Sequence, residues 1–422
     1  MLNLAQRPNQ EITVRAAVAS PALVIVLLLT IFAAQAAQAQ FHVIFNFSGG
    51  SDGRFPFSGV VDDQRGNLYG TTFYGGAGYG VVFQLAPSGS GWILTPLYTF
   101  QAGNDGAYPV AGVTIGPDGA LYGSTYGGGG SGCSFGCGTV FRLTPPPSAC
   151  LTAICPWNET VLYRFLGGTN GQAPQSGVTF DEAGNLYGTT PLGGLSGNGT
   201  VYELVHSNGM WTESLLYGFA GGNDGGSPQA GVTFDSAGNL YGTTPAGGQY
   251  GLGTIYQLVS SGSGWTESVI YNLTGAADGV RPLGGVIFDT SGNLYATTSN
   301  GGSGNGGTVF ELIPSGGSWN FNLIYSFFTF GTIGRGPVAD LTLDAAGNLY
   351  GTTGGDGFYR NGTAFELVRS QGWNQIVFHS FIGPADGTDP FSTLVFDAAG
   401  NLYGTAAEGG SHGDGVIYQI TP

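Results

Sequence analysis

The chain has 422 residues, with 26 Asp and Glu against 10 basic residues, all of them Arg, for a formal net charge of −16. So acidic a surface repels nucleic acid and anionic membranes, which argues against both as partners. Glycine is very abundant at 80 residues, yet the Tyr, Phe, Val and Leu content is that of a folded protein, which excludes low-complexity disorder.

Taken in order, the chain opens on a leader. Arg7 and Arg15 give a positive start, residues 22–34 are apolar except for Thr30, and Ala37-Gln38-Ala39 is an A-x-A site. This predicts a secretory signal peptide over residues 1–39. The apolar run falls short of the roughly 20 residues a membrane span needs, so no span is expected after its removal. Without Arg7, Glu11 and Arg15 the mature chain keeps 25 acidic and 8 basic residues.

From residue 40 onward one string returns again and again. Versions of Gly184-Asn185-Leu186-Tyr187-Gly188-Thr189-Thr190 begin at Gly66, Gly119, Gly184, Gly238, Gly292, Gly347 and Gly400, with spacings of 53, 65, 54, 54, 55 and 53 residues. A period near 54 is too long for one turn of a β-helix and suits a four-stranded propeller blade. In the third repeat, residues 177–181 read as a first strand and 185–190 as a second. A third spans 200–205 and a fourth 211–219. Asp181 in the order D-x-x-G-N can accept backbone N–H bonds while Gly184 supplies positive φ. Six repeats carry this Asp (Asp63, Asp181, Asp235, Asp289, Asp344 and Asp397), and Gly116 is the exception. A ring of functional carboxylates is the alternative to turn capping. Trp92, Trp157, Trp211, Trp265, Trp319 and Trp373 all stand at the start of fourth strands, as packing anchors between blades would.

The ends close the array. Residues 41–47 align with 213–219, so the mature chain begins on a fourth strand, and residues 415–420 end it on a third. Pairing them completes a seventh blade and removes both sheet edges. The expected fold is therefore all-β: one seven-bladed propeller over residues 40–422, a monomer.

The string Y-x-F-x-G-G-x-D-G-x-x-P-x-x-G-V-T-F-D-x-x-G-N-L-Y-G-T-T, followed by G-G-x-x-G-x-G-T-V-F-E-L, resembles the GloVer (Gloeo-Verruco) tandem repeat of exported bacterial proteins. The match covers essentially the whole mature chain, with strong copies at 217–258 and 271–312. The resemblance implies export, often with a C-terminal sorting anchor; this sequence departs from that pattern by ending at Pro422, directly after its last strand. It supplies no catalytic residues. A weaker similarity to kelch repeats lies in the Gly-Gly pair followed by Tyr202 and Trp211.

Candidate chemistry gathers on the rim shared by the strand two-to-three loops and the links between blades. The links read D-G-x-x-P, with Pro56, Pro109, Pro174, Pro228, Pro282, Pro337 and Pro390 in all seven copies. Asp52, Asp105, Asp224, Asp278 and Asp386 occur in five of them. Asp-Gly forms turns and Pro stiffens the crossing; the alternative is a carboxylate-lined face for Ca²⁺ or sugar hydroxyls. No other cofactor is expected. The loops differ between copies and carry Tyr74, Tyr79, Tyr126, Tyr250, Phe358, Tyr359, Arg360, Glu408, His412 and Asp414. Variable loops on a repeated scaffold are where binding specificity resides.

Metalloprotease, P-loop and nucleophile-elbow motifs are absent, and His42, His206, His379 and His412 occupy unlike positions in their repeats. Cys133 and Cys137 fall in one loop, Cys150 and Cys155 in the next, separated by a strand of six residues or about 20 Å. Disulfide Cα atoms lie within about 7 Å, so the expected pairs are 133–137 and 150–155, with a Cys₄ zinc site as competitor. Together these features predict an exported, non-enzymatic binding propeller for a glycan or a surface protein. A polysaccharide hydrolase or lyase using rim carboxylates, or an envelope scaffold, are the alternatives.

Overall fold

A computed structural model describes residues 39–130, 132–146, 157–262, 264–329, 334–355 and 357–422. The predicted leader, apart from Ala39, and the Cys150–Cys155 pair fall outside these residues. The described residues form seven four-stranded antiparallel sheets, a seven-bladed propeller. Blade one spans residues 61–99, blade two 114–164, blade three 179–218, blade four 233–272, blade five 287–328 and blade six 342–380. Blade seven joins residues 395–421 to the N-terminal strand Gln40–Asn46, which pairs with Val416–Thr421 from Gln40 opposite Thr421 to Asn46 opposite Val416.

Blade three shows how the sequence makes these strands. Leu186–Thr190 is buried along its whole length. In Met210–Gly218 exposed and partly covered residues alternate, as an edge strand requires. The first strand is only Thr179–Phe180, shorter than the five residues expected. The residues before it bond sideways to the neighbouring blade instead: the Ser124 hydroxyl of blade two donates to the Ser176 carbonyl at 2.7 Å.

That sideways bond recurs around the ring and explains the GTT motif. Thr71 donates to the Ala111 carbonyl, Thr189 to Ala230, Thr243 to Gly284, Thr297 to Ala339, Thr352 to Ser392 and Thr405 to Ser58. The second Thr stays within its blade, as Thr190 does with Thr200 at 2.8 Å. Gly188 lies where a Cβ would stand 2.4 Å from the Tyr202 hydroxyl, so in this blade glycine makes room for the third-strand ring to cross the second strand.

The turn aspartates do as predicted and more. Asp181 accepts the Asn185 N–H at 2.8 Å, the Asn185 amide at 2.8 Å and the Tyr187 hydroxyl at 3.2 Å, beside Gly184 at φ 85°. Where Gly116 replaces the Asp, Asp118 takes the Tyr122 hydroxyl at 3.0 Å. Tyr187 in turn packs edge-on against Phe234 and Trp265 of blade four. An edge-on contact also joins Trp92 to Tyr403 and Trp319 to Tyr241, and a tilted one Trp157 to Tyr69 and Trp373 to Tyr295. The core therefore lies between blades, and each tryptophan ties a fourth strand to the previous sheet.

Candidate functional site

The seven chains of residues that follow the link prolines enclose a central cavity of about 650 Å³. Its link-side mouth is unequal around the ring. Phe57, Val110, Leu283, Val338 and Phe391 make it apolar over blades five, six, seven, one and two, while Gln175 and Gln229 make it polar over blades three and four. Deeper in, blades one to four place Gly59, Gly112, Gly177 and Gly231 on the wall, but blade six places Asp340, whose carboxylate accepts the Gly285 N–H at 2.5 Å. Burial raises the Asp340 pKa, and that hydrogen bond offsets only part of the rise.

The residue before each link proline is held at positive φ: Phe55 60°, Tyr108 59°, Ala173 58°, Ser227 57°, Arg281 57°, Gly336 67° and Asp389 54°. Six of these are not glycine, and such a backbone persists only where the surroundings impose it. Here the constraint is an inter-blade bond. The N–H of each pre-proline residue donates to a loop carbonyl of the preceding blade, Phe55 to Asp414 at 3.0 Å, Tyr108 to Tyr79 at 2.8 Å and Arg281 to Leu252 at 2.9 Å. The scaffold therefore presents seven equivalent positions around the mouth, and the side chains differ.

Blades one and two fill theirs with aromatics. Tyr108 stacks on Phe73 at 5.2 Å and meets Tyr74 edge-on at 5.5 Å and Tyr79 at 5.7 Å. Phe55 joins through Tyr74 at 6.1 Å, and Phe57 through Phe73 at 5.4 Å, at the cavity mouth. All six rings are half-buried, each leaving surface to solvent. The guanidinium of exposed Arg54 lies over the rings of Phe55 and Tyr74, 5.2 and 5.3 Å from their centroids. Burial raises the Tyr108 pKa, with Tyr74 and Tyr79 adding to it.

Sequence reasoning named Tyr74 and Tyr79 but missed Arg54, Phe55, Phe57, Phe73 and Tyr108. The signal was present: of the seven residues preceding a link proline, only Phe55 and Tyr108 are aromatic. Tyr126 lies half-buried beside this cluster, its N–H donating to the Tyr108 carbonyl. Among the other loop candidates, Asp414 meets it through its backbone carbonyl, which accepts the Phe55 N–H. Tyr250 is exposed on blade four, and Tyr359 pairs with Phe358, edge-on at 4.8 Å, next to Arg360 at φ 69°. His412 bonds to Ser411, while Asp414 packs over Gly49 at the blade seven to blade one junction.

The five link carboxylates do not converge; each serves its own link. Asp52 accepts from the Ser48 N–H and hydroxyl, both at 2.7 Å. Asp105 takes the Gln101 N–H and the Tyr98 hydroxyl, and Asp224 the Ala220 N–H and the Tyr217 hydroxyl. Asp278 binds the Thr274 N–H and hydroxyl with the Tyr271 hydroxyl. Asp386 binds the Ile382 and Gly383 N–H groups and His379 at 2.6 Å. Among the described residues, no group of three or more His, Cys, Asp or Glu side chains is gathered closely enough to hold a metal ion. Cys133 and Cys137 form a disulfide with Cα atoms 5.2 Å apart, closing the blade-two loop.

Two carboxylate pairs appear at seams between blades. Glu267 of blade four faces Asp224 and Tyr217 of blade three beside an open cleft of about 530 Å³; burial, and then repulsion from Asp224, push its pKa up to about 7. Glu159 of blade two faces Asp105 in the same way and is likewise pushed up to about 7.

The sequence profile of the Gloeobacter/Verrucomicrobia repeat matches residues 30–160, 130–327 and 261–422. No curated protein matches the chain. Among solved structures it is similar to a candidate 6-phosphogluconolactonase from Bacteroides uniformis, at 15% identity and TM-score 0.50, covering 77% of this chain and 84% of that one. It also aligns with a candidate oxidoreductase (glucose dehydrogenase) from Thermus thermophilus, at 16% identity and TM-score 0.41, covering 76% and 98%. A protein of unknown function from Dyadobacter fermentans aligns at 11% identity and TM-score 0.46, covering 91% and 98%. At such identities the likeness to the first of these is one of fold alone.

Proposed function

This chain belongs to the Gloeobacter/Verrucomicrobia repeat family, and we propose that it is an exported, non-enzymatic binding propeller. Its ligand, a glycan or another surface protein, docks on the link-side rim over blades one and two. The observation that carries this reading is the cluster of Phe55, Phe57, Phe73, Tyr74, Tyr79 and Tyr108, half-exposed and continuous with the cavity mouth. Aromatic rings held rigidly bury large area at little entropic cost, and their faces suit the apolar faces of sugars. The leader sequence and the Cys133–Cys137 disulfide support an oxidising destination.

A second reading rests on one specific observation. Glu267, holding a proton to about pH 7 beside Asp224 in an open cleft, has the make-up of a general acid paired with a carboxylate. That would make the protein a polysaccharide hydrolase. One experiment separates the two: incubate the mature protein with a glycan array and with chromogenic polysaccharides. Retention without cleavage is expected. Turnover abolished by Glu267→Gln would replace the binding reading with the enzymatic one.

A further inference from the structure

The cluster on blades one and two is not only aromatic. Arg54 is exposed, and its backbone is fixed by a two-way bridge to Tyr74, N–H to carbonyl at 2.9 and 3.1 Å. Its guanidinium is laid over two rings instead of against an acid. Among the described residues no carboxylate pairs with it. Asp52, two residues away, is taken by Ser48, and Asp414 turns to Gly49. In a protein of net charge −16, an arginine left without an acid at the edge of an aromatic platform is an unused, pre-oriented donor. Stacking on aromatics holds the planar fork in place and leaves its N–H edge free for a planar anion.

Resting on the binding reading above, the geometry points to a uronic-acid-containing polysaccharide as the ligand of this rim. Its sugar rings lie on Tyr74, Tyr108 and Phe55, and a carboxylate is gripped by Arg54. The platform alone would take any sugar with an apolar face. The guanidinium adds the selection, because a carboxylate accepts two parallel N–H bonds from it whereas a neutral hydroxymethyl group cannot. Sulfate esters share the charge but present tetrahedral oxygens.

The test uses affinity electrophoresis of the mature protein in gels holding polygalacturonate, its fully methyl-esterified form, dextran or dextran sulfate. Retardation by polygalacturonate and much weaker retardation by the ester are expected. Arg54→Gln should weaken binding of the acid about tenfold, the size of one charge-assisted hydrogen bond, and leave the ester unaffected. Tyr108→Ala should weaken both, and the circular dichroism of each variant reports whether it folds. Equal retardation by acid and ester, an unchanged Arg54→Gln variant, or preference for dextran sulfate over polygalacturonate would each overturn the uronate assignment. Retardation by dextran as strong as that by polygalacturonate would do so while leaving the binding propeller intact. Retention on none of the four polymers would also overturn it, and the glycan array then decides the broader reading separately.

Discussion

The Thr405 hydroxyl donates to the Ser58 carbonyl at 2.8 Å and lies 3.0 Å from the Pro56 carbonyl, so one side chain of the last blade fastens the start of the first. Six equivalent bonds join blades that are neighbours in sequence; this one joins the two ends of the chain. Beside it, the strand Gln40–Asn46 supplies the fourth strand of blade seven, and Phe41 stacks on His379 of blade six at 3.5 Å. Closure thus rests on a strand, a ring stack and a hydroxyl. Thr405→Val should cost about 1 kcal/mol, the net worth of a buried hydrogen bond. Deleting residues 41–47 should expose two sheet edges and give aggregation or rapid proteolysis. Limited proteolysis and light scattering check both; a monomeric, protease-resistant deletion would contradict the closure.

Buried tyrosines of the third strands offer a stabilising change. Tyr202 and Tyr256 are fully buried with hydroxyls that have no hydrogen-bond partner among the described residues, while Phe83, Phe141, Phe310 and Phe365 fill the equivalent place in other blades. An unpaired buried hydroxyl costs free energy that phenylalanine of the same shape does not. Tyr202→Phe and Tyr256→Phe should each raise stability by about 1 kcal/mol in denaturant melts.

The pH dependence of stability has two opposed sources. Glu159 and Glu267 hold protons in the fold up to about pH 7, against an ordinary value of 4.5. Folding therefore takes up protons between about pH 4.5 and 7, and their contribution to stability falls as pH rises through that window. The turn aspartates Asp63, Asp235, Asp289 and Asp397 act the other way. Burial alone would raise them, but hydrogen bonds from the following Asn and Tyr outweigh it and hold them below 3.8. Their contribution is present above that value and lost as pH falls through the depressed one. The melting temperature should accordingly peak near pH 4 to 5. The double change Glu159→Gln, Glu267→Gln should flatten the decline toward pH 7; a decline left unchanged would place its origin elsewhere.

Much of this was legible in the sequence because the repeat is near-perfect where packing demands it. The D-x-x-G-N-L-Y-G-T-T string encodes a capped turn, a buried strand and a hydroxyl for the next blade, so blade number follows from its spacing, and ring closure from the fourth-strand pattern at 41–47 and the third-strand pattern at 415–420. The short first strand was not legible, since residues 177 and 178 are apolar as a strand would be, but Gly177 lines the central cavity and Val178 is buried in the core between blades two and three. Nor was the aromatic cluster visible as a cluster. Phe55, Phe73 and Tyr108 are scattered over two links and a loop, and only the crossing of Phe55 and Tyr108 at positive φ brings them to one face. The carboxylate seams are hidden for the same reason: Asp224 and Glu267 sit in different repeats.

Calcium offers a check on the links. Each link carboxylate already accepts donors from its own turn, so the links hold their shape through protein groups. Melting with excess calcium and with chelator should coincide; a chelator-induced drop of several degrees would show that the ion binds and stabilises the fold.

The central claim is that the aromatic rim of blades one and two binds the ligand, and the most direct measurement compares loop variants on one glycan array. Tyr74→Ala combined with Tyr108→Ala should abolish retention of whatever the wild-type protein binds. Tyr250→Ala, more exposed than either and on blade four, away from the cluster, should leave it unchanged. Binding that survives the double change, or is lost with Tyr250, would contradict the assignment.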